Sequence, residues 1–510
     1  MGWFSYAQPG AAPHSGLSPG PETISLLSTD AELRPELADL RRTGRRFVRR
    51  FVAAARADEA PTLPRLLADH LGPSVGALPV VSESWPPYEH VNVQLGLDAW
   101  LAGAGRSHEL IGMTGYQHRM FGLADLARPE TAMHGPFIGS VAMANLPRGP
   151  GGAAHPCVQC GLYLVREGER SYVVLLRGSD SRGPQQNVML EVLTTDPGAA
   201  ADVLADVRRQ AVERNVFRGQ VLSFGAEMFG PEQSLLTFHE RPALERSGLV
   251  LPVGLLEAVE QQVIGVARHR DRLRASGQHL KRGLLLHGPP GTGKTHTIRY
   301  LLSRLPTVTV VMLSGNALHA IAPACSIART LAPSLVVVED VDLIAEDRGM
   351  HPGQNPLLFQ LLNEMDGLGE DVDVTFVLTT NRADLLEPAL AARPGRVDSA
   401  IEFRLPDADA RRRLLQLYRG GLRLDLTNDV DVVERTEGVT ASFLKELLRK
   451  AALVAADEEP DGDGPLTVSD SHLAAALDVL LDERNQLTRV LLGSRGSDRD
   501  RQPSPTAWLG

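Results

Sequence analysis

Residues 288–295 read GPPGTGKT, and this one stretch decides how the chain around it must fold. It matches the pattern G-x-x-x-x-G-K-[ST] and lies between an apolar run, RGLLLHG at 282–288, and the start of a helical segment. That strand-to-helix setting gives the pattern its meaning. Glycines let successive backbone N–H groups turn inward around phosphate oxygens, and the helix N-terminus adds its partial positive charge. Lys294 is placed to reach the β and γ phosphates of a nucleotide, and Thr295 to offer its hydroxyl oxygen to Mg²⁺. The residues expected to hold ATP are Gly288, Pro289, Pro290, Gly291, Thr292, Gly293, Lys294, Thr295 and His296. The bland alternative, a glycine-rich turn that binds nothing, does not call for the lysine and hydroxyl at these offsets.

Working outward, TVTVVML at 307–313, SLVVVED at 334–340 and VTFVLTT at 374–380 are continuous apolar runs of strand length. Such runs suit parallel strands covered on both faces. Helical segments alternate with them, so the expected fold is α/β, a doubly wound parallel sheet over residues 245–405. After AIEFRLP at 400–406 the strands stop. Four helical stretches follow near 408–419, 429–437, 440–457 and 469–483, predicting a helical lid over 406–492 and a tail over 493–510.

Upstream, residues 1–30 are rich in Pro, Gly and Ser and read as an arm. Residues 31–242 read as a mixed α/β domain, helical at first and with strands from about 137. GLYLVREG, SYVVLLRG and NVMLEVLT are its short strands and AAADVLADVRRQAVERN its helix, with GQVLSF and LLTFHE as strands leading out. Arg41, Arg42, Arg45, Arg46, Arg49 and Arg50, interleaved with Phe47, Val48, Phe51 and Val52, form a basic amphipathic run. It reads first as a solvated helix face over a packed stripe, and second as a contact for an anionic membrane or nucleic acid. His155, Cys157 and Cys160 in HPCVQC invite a zinc reading, but a structural site needs four ligands and only the distant His134 is left to supply one.

Across from the glycine loop, LVVVEDVD at 335–342 puts Glu339 and Asp340 at a strand's carboxyl edge. At this point the chain resembles the AAA ATPase family, over roughly residues 245–485. The resemblance rests on five motifs in order: HLKRGLLLHGPPGTGKT, ARTLAPSLVVVEDVDLIAEDR, LLNEMDGL, VLTTNRADLLEPAL and ARPGRVD. It implies an ATPase core with a helical lid. The family has Asp then Glu where this chain has Glu339 then Asp340, with no insertion between Pro333 and the pair. By resemblance Glu339 holds the Mg²⁺ shell and Asp340 activates water, from a side chain one methylene shorter. Asn381 matches the residue that senses the γ-phosphate, where an amide bonds phosphate and water without adding charge. Arg393 and Arg396 match the paired arginine fingers that act on a neighbour's nucleotide, which implies a ring, by resemblance a homohexamer. Arg348 lies where the family often keeps a basic interface residue. In TEGVTASFLKELLRKAA the family's Gly-Ala-Asp is replaced by Ala441-Ser442-Phe443, leaving Ala441 as a nucleotide contact or a core residue.

The likeness thins between the second strand and ARTLAPS. SGNALHAIAPACSI at 314–327 lacks the aromatic-hydrophobic-Gly triplet that grips an unfolded chain, with Leu318, His319 and Ile321 as the nearest substitutes and a helical core segment as the plainer reading of Leu318 and Ile321. A net charge of −10 argues against a protein that coats nucleic acid. Three cysteines cannot build a disulfide framework, no secretory pattern opens the chain, and no run nears the roughly 20 apolar residues of a membrane span, so the expected location is the cytoplasm. The leading expectation is an ATP-hydrolysing ring motor that uses Mg²⁺ and remodels or translocates a protein partner. A nucleotide-binding switch that governs assembly without turnover is the alternative, and a DNA-stimulated ATPase is a third reading that draws only on the arginine run.

Overall fold

The computed structural model describes residues 62–115, 118–180, 186–225, 236–342, 356–367, 369, 372–384, 397–427, 429–458 and 464–481. The expected arm, the arginine run at 41–52, Arg348, Arg393, Arg396 and the tail lie outside the described residues. Seven antiparallel strands make the first sheet: β1 (Val80–Trp85), β2 (Arg106–Thr114), β3 (Phe137–Gly139), β4 (Ala142–Pro147), β5 (Ala154–Glu167), β6 (Arg170–Arg177) and β7 (Val188–Leu193). Their order is β1-β7-β6-β5-β2-β3, and the long β5 is shared, its first half pairing with β4 and its second with β2. β5 is buried from Cys157 to Val165 because helices cover both faces. Helices His90–Leu101 and Pro197–Glu213 pack Val93, Leu97, Trp100, Val203 and Val207 on one side, and helix Leu63–Leu71 packs with Leu123 and Leu126 on the other. Gly96 permits the close helix crossing, since a Cβ there would lie 2.6 Å from the Val207 carbonyl oxygen. β1 and β2 fall before residue 137, in the part expected to be helical. Both carry exposed polar residues, and it is pairing with β7 and β5 that makes them strands.

The second sheet contains β8 (Val221–Phe224), β9 (Leu236–His239), β10 (Arg282–His287), β11 (Thr309–Leu313), β12 (Ser334–Val338), β13 (Val374–Thr380) and β14 (Ser399–Glu402), in the order β14-β10-β13-β12-β11-β8-β9. Every pair from β14 to β8 is parallel, and β9 closes the edge antiparallel. All residues of β12 and β13 are buried, which is why these strands read as unbroken apolar runs. Helix Lys294–Arg304 covers one face with Ile298, Leu301 and Leu302, and helices Ile321–Thr330 and Pro356–Asp366 cover the other. This is the doubly wound α/β core. Its parallel strands bring the carboxyl ends of β10, β12 and β13 to one edge.

The sheet does not begin at residue 245. β8 and β9, read as strands leading out of the preceding domain, are its outer strands. The two sheets also share a core, in which Val91 of the covering helix and Leu146 and Cys157 of the first sheet pack with Phe217, just before β8, and Leu222, Phe224 and Leu236 of the second. A polar contact reinforces the junction, where Asn92 Oδ1 accepts from the Val216 N–H at 2.9 Å. On the second sheet's own side, the Arg241 guanidinium beyond β9 donates to the carbonyls of Gly219, Leu302 and Val308 at 3.0, 2.9 and 2.9 Å. Leu318 and Ile321 lie in the same core at 3% and 0% exposure, so packing accounts for both, while His319 is exposed.

Beyond β14, helices Ala408–Tyr418, Asp429–Arg435, Ala441–Glu458 and Asp470–Leu481 gather around Phe443, Leu444, Leu447 and Leu477. A short parallel ladder, β15 (Arg423–Asp425) with β16 (Thr467–Ser469), ties the connection between the first two of these helices to the start of the last one and went unread in the sequence. Because the junction core is common to both sheets, Leu222→Ala should lower the stability of the whole described unit by about 2–5 kcal/mol. A lowered denaturant midpoint with one transition by circular dichroism is the expected result, whereas two separated transitions would show that the sheets unfold independently.

Candidate functional site

The loop after β10 turns on three glycines in the left-handed region, Gly288 at φ +141°, Gly291 at +75° and Gly293 at +104°. Gly288 passes so close to the neighbouring chain that a Cβ would lie 2.2 Å from the Phe403 carbonyl oxygen. The loop braces itself through Thr292, whose hydroxyl donates to the Pro289 carbonyl at 2.8 Å. Helix Lys294–Arg304 starts directly at the loop, with Gly293 at its N-cap. Thr295 and His296 on its first turn are exposed. Burial holds His296 below the usual histidine pKa, a fall that its bond to the Gly248 backbone partly opposes.

Lys294 is 6% exposed and its ammonium is fully engaged. It donates to the carbonyls of Gly288 and Pro289 at 2.7 and 2.9 Å and to Asn381 Oδ1 at 2.9 Å. Burial pushes its pKa down from 10.5 to about 8, against the opposing pull of Asp340 and Asp342. Asn381 in turn donates from Nδ2 to Asp340 Oδ1 at 3.2 Å. A continuous chain thus runs from the glycine loop through the amide to the carboxylate. Glu339, the first acid after β12, keeps its Oε1 buried with no hydrogen-bond partner among the described residues. A buried carboxylate oxygen left bare in this way fits a cation, and the exposed Thr295 hydroxyl is the second oxygen expected to serve it.

Asp342 is a site residue to which sequence reasoning assigned no role. It is 6% exposed, and its Oδ1 accepts from the Thr380 hydroxyl at 2.8 Å and the Asn381 N–H at 3.1 Å, so it sets the backbone from which the Asn381 amide projects. Its place two residues beyond Asp340 in LVVVEDVD was the only available signal. The lid reaches the loop through Ser442 rather than Ala441. The Ser442 N–H donates to the Gly291 carbonyl at 3.4 Å, and a Cβ on Gly291 would meet Ser442 Oγ at 2.8 Å.

The zinc reading of HPCVQC does not survive. Cys157 packs in the core between the sheets and Cys160 in the separate cluster around Leu162, while His155 Nε2 turns to Asp98 at 3.6 Å. Burial pushes the two thiols up to about 12 and about 11, against the ionised form a metal needs. The side chain of His134 lies outside the described residues. Among the described residues no group of three or more His, Cys, Asp or Glu is placed to hold a metal ion, and no helix is long and apolar enough to cross a membrane.

Residues 284–405, which hold most of β10, the glycine loop, both acids and Asn381, match the family model described as ATPase family associated with various cellular activities (AAA). The chain is 34% identical over 240 residues to the ATP-dependent zinc metalloprotease FtsH of Thermus thermophilus, covering 44% of this chain and 38% of that protein. It is 34% identical over 259 residues to FtsH 1 of Symbiobacterium thermophilum, covering 46% and 43%, and 34% identical over 221 residues to FtsH of Mycobacterium tuberculosis, covering 40% and 29%. The chain therefore spans about two fifths of the length of the first two of these relatives.

The loop's dependence on glycine is open to test. Gly288→Ala adds a Cβ at φ +141° and against a carbonyl oxygen, and a strained backbone alone costs about 1–3 kcal/mol. Thermal melting should show a clear loss of stability, and an unchanged midpoint would contradict the close approach of the loop to Phe403.

Proposed function

We propose that this chain, whose residues 284–405 form an AAA-type ATPase domain, binds Mg-ATP on the loop at 288–295, hydrolyses it, and works as a ring that remodels or translocates a protein partner. The observation that carries the reading is the linked set Lys294–Asn381–Asp340 at one sheet edge, with the bare Glu339 oxygen belonging to the residue next to Asp340. Lys294 would leave the loop carbonyls and Asn381 to donate to the β and γ phosphates, and Asn381 would then be free to hold the γ-phosphate and the attacking water. Asp340 would take the proton from that water. Glu339 and Thr295 would hold Mg²⁺, which when bound supplies positive charge to the phosphate oxygens. Arg393 and Arg396 would complete the site of an adjacent copy, and that need for a borrowed guanidinium is the physical ground for a ring, by resemblance a homohexamer.

The likeness to ATP-dependent proteases supports a protein as the object of the work. The burial of Leu318 and Ile321 speaks for rearrangement of a partner rather than threading on these residues. One observation favours a second reading, a nucleotide switch without turnover. The acids stand in the order Glu339, Asp340, so the water-activating carboxylate is the shorter one.

Two variants separate these readings. Lys294→Ala should abolish ATP binding in equilibrium titrations. Asp340→Asn should bind ATP normally and lower turnover by about 100-fold or more, the scale of a lost general base. Wild-type protein that binds ATP and releases no ADP selects the switch. A pH dependence follows from Lys294. The loop needs the ammonium form, so ATP affinity should fall as pH rises through about 8. Because the folded pKa lies below the unfolded one, the unfolded chain binds the extra proton between about 8 and 10.5, and Lys294 should make stability rise with pH across that window. A titration with a fluorescent ATP analogue and melting curves over this range check both signs.

A further inference from the structure

Asp340 is the one non-glycine residue with positive φ among the described residues, at +52°. A side chain in that conformation carries a steric penalty, so the turn needs something to hold it. The ladder between β12 and β13 ends at the pair Val338 and Leu378. Beyond it the Glu339 N–H still reaches the other neighbour, donating to the Leu313 carbonyl of β11 at 2.9 Å. The next two N–H groups both go to Thr379, Asp340 N–H to Thr379 Oγ1 at 3.0 Å and Val341 N–H to the Thr379 carbonyl at 2.9 Å. The left-handed turn takes the Asp340 N–H out of the ladder, and the threonine side chain supplies the acceptor it has lost. Thr379 is 2% exposed, in a strand whose other inward positions are apolar or threonine, so Val would fill its space equally well. Only the hydroxyl oxygen answers the Asp340 N–H.

We infer that Thr379 is a positioning residue for ATP hydrolysis: its hydroxyl pins the left-handed turn at Asp340 and so aims the shorter carboxylate of the exchanged pair at the water. The inference rests on the reading of Asp340 as the water-activating group. Asn381 Nδ2 holds the same carboxylate from its far end, so the backbone pin and the side-chain contact together fix its direction. Nucleotide binding is left to the glycine loop, while the Thr379 hydroxyl serves the Asp340 N–H.

Thr379→Val removes the acceptor at nearly constant shape. The expected result is a fall in kcat of about tenfold or more with KM for ATP changed less than about twofold, since a small misplacement of a reacting group can cost up to about 100-fold. Thr379→Ser keeps the oxygen and should return kcat to within about threefold of wild type. Amide hydrogen exchange at Asp340 reads the contact without turnover, and should be faster in the Val variant but not in the Ser variant. Should the Val variant not fold, Thr379→Ala removes the same acceptor and takes its place. Unchanged kcat in the Val or Ala variant, a Ser variant that falls as far as they do, or unchanged Asp340 exchange would overturn the inference. Wild-type protein without turnover would overturn the hydrolytic reading instead, and the exchange measurement would still judge the pin.

Discussion

A buried cation at the carboxyl edge of a parallel sheet is the constraint on which the site depends. Lys294 lies in a place where an unpartnered ammonium would be expensive, and its three donors are matched to three oxygens, two from its own loop and one from Asn381. Asp340 and Asp342 offset part of the desolvation by attraction, yet burial still dominates and holds the lysine near 8. On the proposed reading, a cation held this way would exchange carbonyl and amide oxygens for phosphate oxygens, which carry full negative charge and match it better.

The partners of Lys294 come from distant parts of the sequence, and the sheet is what assembles them. β13 lies between β10 and β12, so the residue that ends β13 sits beside both the glycine loop and the acids that end β12. Asn381 uses both ends of its amide accordingly, accepting from Lys294 and donating to Asp340. Asp342 and Thr379 fix the backbones on either side of that contact. Movement of any of the three strand ends is therefore felt at the other two.

The same sheet reaches into the preceding half of the chain. β8 and β9 extend it, and the core around Phe217, Leu222 and Leu236 is shared with Leu146 and Cys157 of the antiparallel sheet and Val91 of a helix that covers it. No mobile tether separates these described elements. A displacement of the parallel sheet would carry the antiparallel sheet along as one packed body, because close-packed interiors transmit strain rather than absorb it.

The glycine loop, the buried strands β10 to β13 and the helices of the lid were legible because local rules suffice for them: a phosphate loop needs glycine and lysine at set offsets, and strands covered on both faces need continuous apolar residues. β1 and β2 were not legible, since strands with exposed polar residues depend on their partners for definition. The ends of the parallel sheet were not legible for the same reason, as VLSF and LTFH read as strands in either sheet and only the pairing of β8 with β11 and of β9 with β8 assigns them. Sequence alone determined that a phosphate cradle and a pair of acids exist in this chain, because both are written in consecutive residues. Tertiary structure alone decided that Lys294 is saturated by Asn381, that Glu339 keeps a bare oxygen, and that Thr379 catches the Asp340 N–H. Those contacts join residues about 40 to 90 positions apart, and no local pattern in a chain encodes which strand ends will lie side by side.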